Sequence, residues 1–449
     1  MKRFGMAWIL AGVFVMAAIH AEDSAYSPHA KGTLTFNKDI APIVFNNCTG
    51  CHRAGEVAPF ALQTYQDVSK RAKQITRVTH SKYMPPWKPE NGFGEFLDER
   101  RLTNDQIGMI AQWAEEGAAE GVAADLPPLP KFPEGWALGE PDMVVKMPQA
   151  YTLQAEGRDV FRCFVIPIKI DEDKYVTAVD FRPSNRKIVH HALFFLDALG
   201  VAKKKEGQDK APGFASFGGP GFTPTGGLGG WAPGYQAHRL PEGMGKLLRK
   251  GSDLVLQVHF HPSGKEEPEQ STVGLYFSKK PAEKVIASLM IGNRKIDIAP
   301  GDKTYKVTKE FVTPVDAEVV GITPHAHYLC KDMKVNAVFP DGKTQPMIWI
   351  KDWDFSWQDT YLYKTPQKFP KGTKLTMEYT YDNSVENPRN PSNPPQRVHF
   401  GEQTKDEMAL VFVNYVAKTT ADVGAMRREM IANRIKEALS GGGAGGEGK

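Results

Sequence analysis

A chain of 449 residues, 41% hydrophobic and 24% charged, can bury several cores and is not disordered by composition. Its 56 Lys and Arg against 52 Asp and Glu leave a formal charge of +4, which gives no reason to expect nucleic acid as a partner. The 42 glycines and 33 prolines favour short strands joined by turns over a helical bundle.

Lys2 and Arg3 precede a 15-residue apolar run from Gly5 to Ile19, followed by Ala21 and the acidic Glu22-Asp23. A charged start, a short apolar core and a small residue at the cleavage point predict a signal peptide over residues 1–21. The run is shorter than the roughly 20 residues of a spanning helix. No later segment is long and apolar enough to cross a membrane. The mature protein is therefore expected in the periplasm or secreted, with no membrane span.

Residues 34–124 read as mostly helical. Thr103 or Asn104 is an N-cap candidate, and Ile107, Ile110 and Trp113 form a stripe at helical spacing. Residues 125–141, with Leu126-Pro127-Pro128-Leu129-Pro130, suit a semi-rigid linker. From 142 to 418 the pattern alternates, as in Leu254-Val255-Leu256-Gln257-Val258-His259-Phe260-His261 and Leu375-Thr376-Met377-Glu378-Tyr379-Thr380-Tyr381. Two antiparallel, jelly-roll-like β-sandwich domains follow, 142–285 and 286–418. The glycine-crowded stretch from Gly213 to Gly234 reads as a functional or mobile surface loop. Residues 419–449 read as a terminal helix, over 421–439, and a flexible Gly-rich tail.

Cys48-Thr49-Gly50-Cys51-His52 is C-x-x-C-H, the spacing at which two thiols join haem vinyls and the next His takes an axial iron position. Zinc would need further ligands nearby, where only His80 is available, and a redox pair does not require the trailing His. Covalently attached haem c is the expectation. The second axial ligand is expected at Met84, in Tyr83-Met84-Pro85-Pro86-Trp87, with His80 and Met109 as competitors. A thioether opposite His raises the haem potential, which suits an electron carrier. Residues 36–120 resemble a small class of cytochrome c domains carrying this Met-Pro-Pro-Trp segment.

Three tight histidine groups lie in strand-like runs: His190-His191, His259 with His261, and His325 with His327. In a strand, residues i and i+2 share a face, so each His-x-His can offer two imidazoles to one ion. Adjacent His190 and His191 would point to opposite faces and need a local twist or bulge to act together. Any single pair is more often structural; three in one exported chain favour a metal. Imidazole with thioether points to copper.

Residues 142–418 resemble the copper type II, ascorbate-dependent monooxygenases, the family of the peptidylglycine- and dopamine-hydroxylating enzymes. His190-His191 matches the paired histidines of that family's first copper site. Leu240-Pro241-Glu242-Gly243-Met244-Gly245 and Leu256-Gln257-Val258-His259-Phe260 match the approach to the third, His259. His325-Ala326-His327 and Thr404-Lys405-Asp406-Glu407-Met408 match the second site, with Met408 as its thioether ligand. The resemblance implies two copper ions, one per sandwich domain, facing each other across a cleft. It implies a copper-dependent monooxygenase in which His325, His327 and Met408 form the catalytic site. Its partners would be O2, a small organic substrate and an external electron donor, either a small reductant or a redox protein. The family's carboxylate clamp is absent: Thr323, Leu410 and Phe412 stand at those positions, so C-terminal glycine peptides are not expected substrates. His261 has no counterpart ligand and is expected in a hydrogen-bonding or merely exposed role; His238 and His399 have no assigned role. A Cys163–Cys330 disulfide is left open by the sequence. The tethered haem suggests a route by which the coppers are reduced. The alternatives are a non-enzymatic cytochrome–copper electron-transfer or copper-binding protein, and a copper oxidase that inserts no oxygen.

Overall fold

The computed structural model describes residues 25–440 except 55, 57, 133–134, 209, 217–218, 232–234, 236 and 402. The expected signal peptide and the Gly-rich tail lie outside the described residues. The protein is mainly β, with several antiparallel sheets and a small helical region at its N-terminal side. No helix among the described residues is long and apolar enough to cross a membrane.

One eight-stranded sheet runs through both β units, in spatial order Met143–Lys146, Thr272–Phe277, Lys174–Arg182, Met244–Leu248, Lys284–Gly292, Leu410–Val416, Ala317–His325 and Tyr361–Phe369. Its first half packs against the five-stranded sheet of Phe214–Ala215, Val160–Pro167, Asp253–Phe260, Val189–Asp197 and Gly226–Trp231. Its second half packs against the four-stranded sheet of Tyr305–Val312, Lys374–Tyr381, Cys330–Val338 and Thr344–Ile350. The halves join through a short parallel pairing, Lys284 with Met244 and Val285 with Gly245. The expected boundary between 285 and 286 therefore falls inside the joining strand Lys284–Gly292.

The strand Asp253–Phe260 shows why alternation alone understates burial. Leu254, Leu256, Val258 and Phe260 fill the inter-sheet core, yet Val255, Gln257 and His259 on the opposite face are buried as well. The strand is central, paired on both edges, and its second face is covered by residues of neighbouring segments.

The glycine-rich stretch is not wholly a loop. Gly226–Trp231 is a strand paired with Val189–Asp197. Glycine is required at Gly230, where a Cβ would stand 2.8 Å from Leu193 Cδ2 and 3.1 Å from the Ala192 carbonyl. Close backbone approach, not mobility, accounts for that residue.

In the N-terminal region the helix Asn104–Glu115 carries a full capping box between Thr103 and Gln106, and buries Ile110 and Trp113. Short helices Ala41–Asn47, Tyr65–Ser69 and Ala72–His80 complete its core. Residues between Trp87 and Arg101 leave this core and dock on the second β unit. Trp87 and Phe96 are buried in that unit's core, Leu97 N donates to Leu362 O at 2.7 Å, and Arg100 pairs with Asp359 at 2.6 Å. The expected linker is also docked in its second half: Arg182 lies over the Trp136 ring at 4.7 Å, and Tyr276 Oη donates to Gly139 O at 2.7 Å. The C-terminal helix, Thr420–Ser440, buries Met426 against the second β unit.

Candidate metal centre

The two strands that carry the first histidine group are neighbours, with His191 opposite His259. Val189 pairs with Phe260, so His190 is the extra residue of a bulge. The bulge turns His190 to the same side as its neighbour, as joint ligation requires. The Nδ1 of His191 stands 3.2 Å from that of His190 and 3.3 Å from that of His259. Imidazole nitrogens sharing a metal at about 2.0–2.1 Å in tetrahedral geometry stand about 3.3 Å apart; two of the three separations match, and all the ligand atoms lie within 4.8 Å of one another, so the three residues can hold a single ion. Burial pulls His190 down to about pKa 3, and His191 and His259 below their ordinary value. All three are neutral at neutral pH, the form that ligates metal.

The remaining nitrogen of His259, Nε2, lies 3.2 Å from Asp159 Oδ2 without making a well-formed hydrogen bond. The other Asp159 oxygen meets His261 Nδ1 at 2.7 Å, and Oδ2 also accepts from the Thr404 hydroxyl of the second β unit. Burial pushes the Asp159 carboxyl up, but the contacts from His259, Thr404 and His261 outweigh it and hold its pKa well below the carboxylate range. His261 thus partners Asp159 and lies outside the triad.

The second group is assembled differently. His325 is the last residue of its strand and His327 lies in the turn before Cys330–Val338, so the in-strand His-x-His expectation is corrected. A tight turn, not strand alternation, brings the rings to 5.4 Å and 83°. His325 Nδ1 meets Gln358 Oε1 at 2.6 Å, and His327 Nδ1 meets the Asp406 carbonyl at 3.0 Å. Both Nδ1 atoms are therefore engaged as donors, which leaves each Nε2 with its lone pair for a ligand. Burial lowers His327 to about 3 and lowers His325 as well.

Glu407 ties the backbone of Met408 to that of His327. One oxygen of the fully buried Glu407 carboxylate accepts from both His327 N and Met408 N, and the other accepts from Leu329 N at 2.9 Å. Burial pushes Glu407 up to about 8, against the pull of these N–H groups. Tyr381 Oη donates to the Met408 carbonyl at 2.7 Å, and Trp353 Nε1 to the His327 carbonyl at 3.0 Å. The positions of the missing clamp carry no charge: the Thr323 and Thr360 hydroxyls bond to each other at 2.9 Å, and Leu410 is buried.

One ring stands between the two groups. Phe355, only 4% exposed, stacks on His190 at 4.7 Å and meets His327 at 5.3 Å and Tyr328 at 4.5 Å. Its loop also bears Trp357, whose ring meets Tyr83 at 6.0 Å, one residue before Met84. In the helical region Cys48, Cys51 and His52 share one turn, with His52 N bonded to Cys48 O at 2.9 Å. His52 Nδ1 meets Phe60 O at 3.1 Å, which leaves Nε2 free to ligate. That turn fits the thioether-and-His pattern of attached haem. Met84 is tied by its backbone to the helix Ala72–His80, its N–H donating to Val78 O at 3.0 Å. Cys163 and Cys330 are free and buried in separate clusters, so the disulfide left open above does not form.

Asp159, Phe355, Gln358 and Glu407 were not singled out by sequence reasoning. Trp353-x-Phe355-x-Trp357 marks the neighbourhood of Phe355 and Gln358, and the Thr404–Met408 segment contains Glu407; no local pattern marks Asp159.

Neither a known family model nor a curated protein matches the chain. Among solved structures, the major capsid protein P2 from Bacteriophage PM2 aligns at 10% identity and TM-score 0.26, over 62% of this chain and 99% of that one. PNGF-II aligns at 10% identity and TM-score 0.30, over 61% and 65%. At these scores neither likeness bears on function.

Proposed function

We propose that this protein is a copper-dependent monooxygenase that hydroxylates a C–H bond of a small organic substrate, with an attached c-type haem in the same chain. The observation that carries the reading is a pair of unlike histidine groups meeting at one domain seam, separated by a single phenyl ring. A copper-buffering or simple electron-transfer protein has no need of two different ligand sets around one cleft.

His190, His191 and His259 would hold one copper; His325, His327 and Met408 would hold the other; Cys48, Cys51 and His52 would hold haem, with Met84 as its second axial ligand. Bound copper would supply one-electron redox chemistry and activation of O2, the overall conversion taking two electrons and two protons per hydroxylation. The chain's own part is to keep six imidazole and thioether donors unprotonated and oriented. Gln358 and the Asp406 carbonyl set the tautomers of His325 and His327. Phe355 fills the space between the groups, packed on His190 and His327. Docking of residues 87–101 against the loop bearing Trp357, Gln358 and Asp359 supports a reading in which haem and copper serve one reaction.

The test is metal analysis followed by single turnover. Protein made in a haem-attaching host should contain two coppers and one haem iron per chain. After reduction and exposure to ¹⁸O2 with a panel of small aromatic and aliphatic compounds, a product should carry ¹⁸O. Label in water alone would mean an oxidase, and no oxygen uptake would mean an electron-transfer protein.

A further inference from the structure

A cavity of about 200 Å³ opens at the seam of the two β units, beside the first histidine group. Arg186, Lys187, His190 and His261 line it from one side, Tyr328 and Thr404 from the other. Three features narrow what it would take. The first is size: an apolar cavity of about 150 Å³ admits benzene, so this one suits a single ring bearing one or two substituents.

The second is charge. Arg186 and Lys187 are exposed at the cavity, and neither is in an ion pair among the described residues. No acidic side chain lines it among those residues. Asp159, the carboxylate behind His261 and Thr404, has both oxygens engaged and is covered, with only 6% of its side chain exposed. The open end of the cavity thus carries two cations against the single buried carboxylate of Asp159, a net positive charge that favours an anion.

The third is aromatic lining. Phe355 packs on Tyr328 at 4.5 Å and on His190 at 4.7 Å, fixing two rings as walls. Preset aromatic walls recognise a flat ring with little ordering cost.

We infer that this cavity binds a single-ring aromatic carboxylate, its ring against Tyr328 and His190 and its carboxylate toward Arg186 and Lys187. The inference rests on the monooxygenase reading only for what the ligand is for; binding itself needs no metal. The site differs from the residues that the resemblance assigns to metal, apart from His190 at its wall.

Calorimetric titration of the full chain, copper-loaded and separately chelator-stripped, with benzoate and with benzyl alcohol tests it. Benzoate should bind at least about tenfold more tightly at low salt, and the advantage should shrink as salt rises. Arg186→Gln with Lys187→Gln, both at exposed positions, should bring benzoate to the level of benzyl alcohol, with the circular dichroism spectrum unchanged. Tyr328→Ala should weaken both probes by a similar factor. Equal binding of the two probes, benzoate binding that survives the double substitution, or no binding of either overturns the inference. Copper titration keeps the two readings apart. Copper uptake at the triad without benzoate binding removes only this inference, whereas benzoate binding without copper uptake removes only the oxygenase reading.

Discussion

The two histidine groups use the same side chain in opposite ways. In the first, the Nδ1 atoms of His190 and His259 lie within 3.3 Å of that of the central His191, and the outer nitrogen of His259 turns to Asp159. In the second, the Nδ1 atoms of His325 and His327 are taken by Gln358 and a backbone carbonyl, and Nε2 is the free nitrogen. The first group is anchored on two paired strands and a bulge; the second on a strand end, a turn and a distant segment held by Glu407. Ring count therefore says little about a site until the partner of each second nitrogen is known.

The comparison can be broken most severely at His191. His191→Ala removes the nitrogen central to the first group and should lower copper content from two ions per chain to one, measured by elemental analysis after dialysis. The loss in affinity should exceed the about 10–100-fold typical of losing an outer partner. Loss of both ions would show that the groups are not independent.

Phe355→Ala deletes the ring that both groups share. Emptying a buried aromatic site should cost about 3–5 kcal/mol in urea unfolding. The copper EPR signals of both groups should change together, and a change confined to one would remove the ring's bridging role. Asp159→Asn should act on one side only, weakening the first group about 10–100-fold in a chelator competition while leaving the second unaltered. The smallest effect is expected at Gln358→Leu. It frees the His325 tautomer and should weaken the second group by about tenfold, the low end of the outer-partner range, in the same competition.

Much of the site was legible in local patterns. His190-His191 needed a bulge to cooperate, and a bulge is present at His190. The N-cap was readable as Thr103 or Asn104, and the structure places it at Thr103 with its partner Gln106 three residues on. His325 and His327 were read as alternating along one strand, but the strand stops at His325. That error has a physical cause: a strand edge and a turn can bring i and i+2 together as well as a pleat can, and periodicity does not separate the two. The glycine stretch misled in a similar way, because absence of a side chain serves close strand packing at Gly230 as readily as it serves a mobile loop. Asp159 and Thr404 lie 245 positions apart, so no local window joins them.

By itself the sequence determined the change from helical to alternating pattern, the C-x-x-C-H turn and the candidate ligands, because each depends on residues within a few positions of one another. Only the tertiary structure decided that one sheet runs through both β units, that residues 87–101 dock on the second of them, and that Phe355 stands between the histidine groups. Those outcomes depend on which buried faces meet, and that is set by packing between segments far apart in the chain.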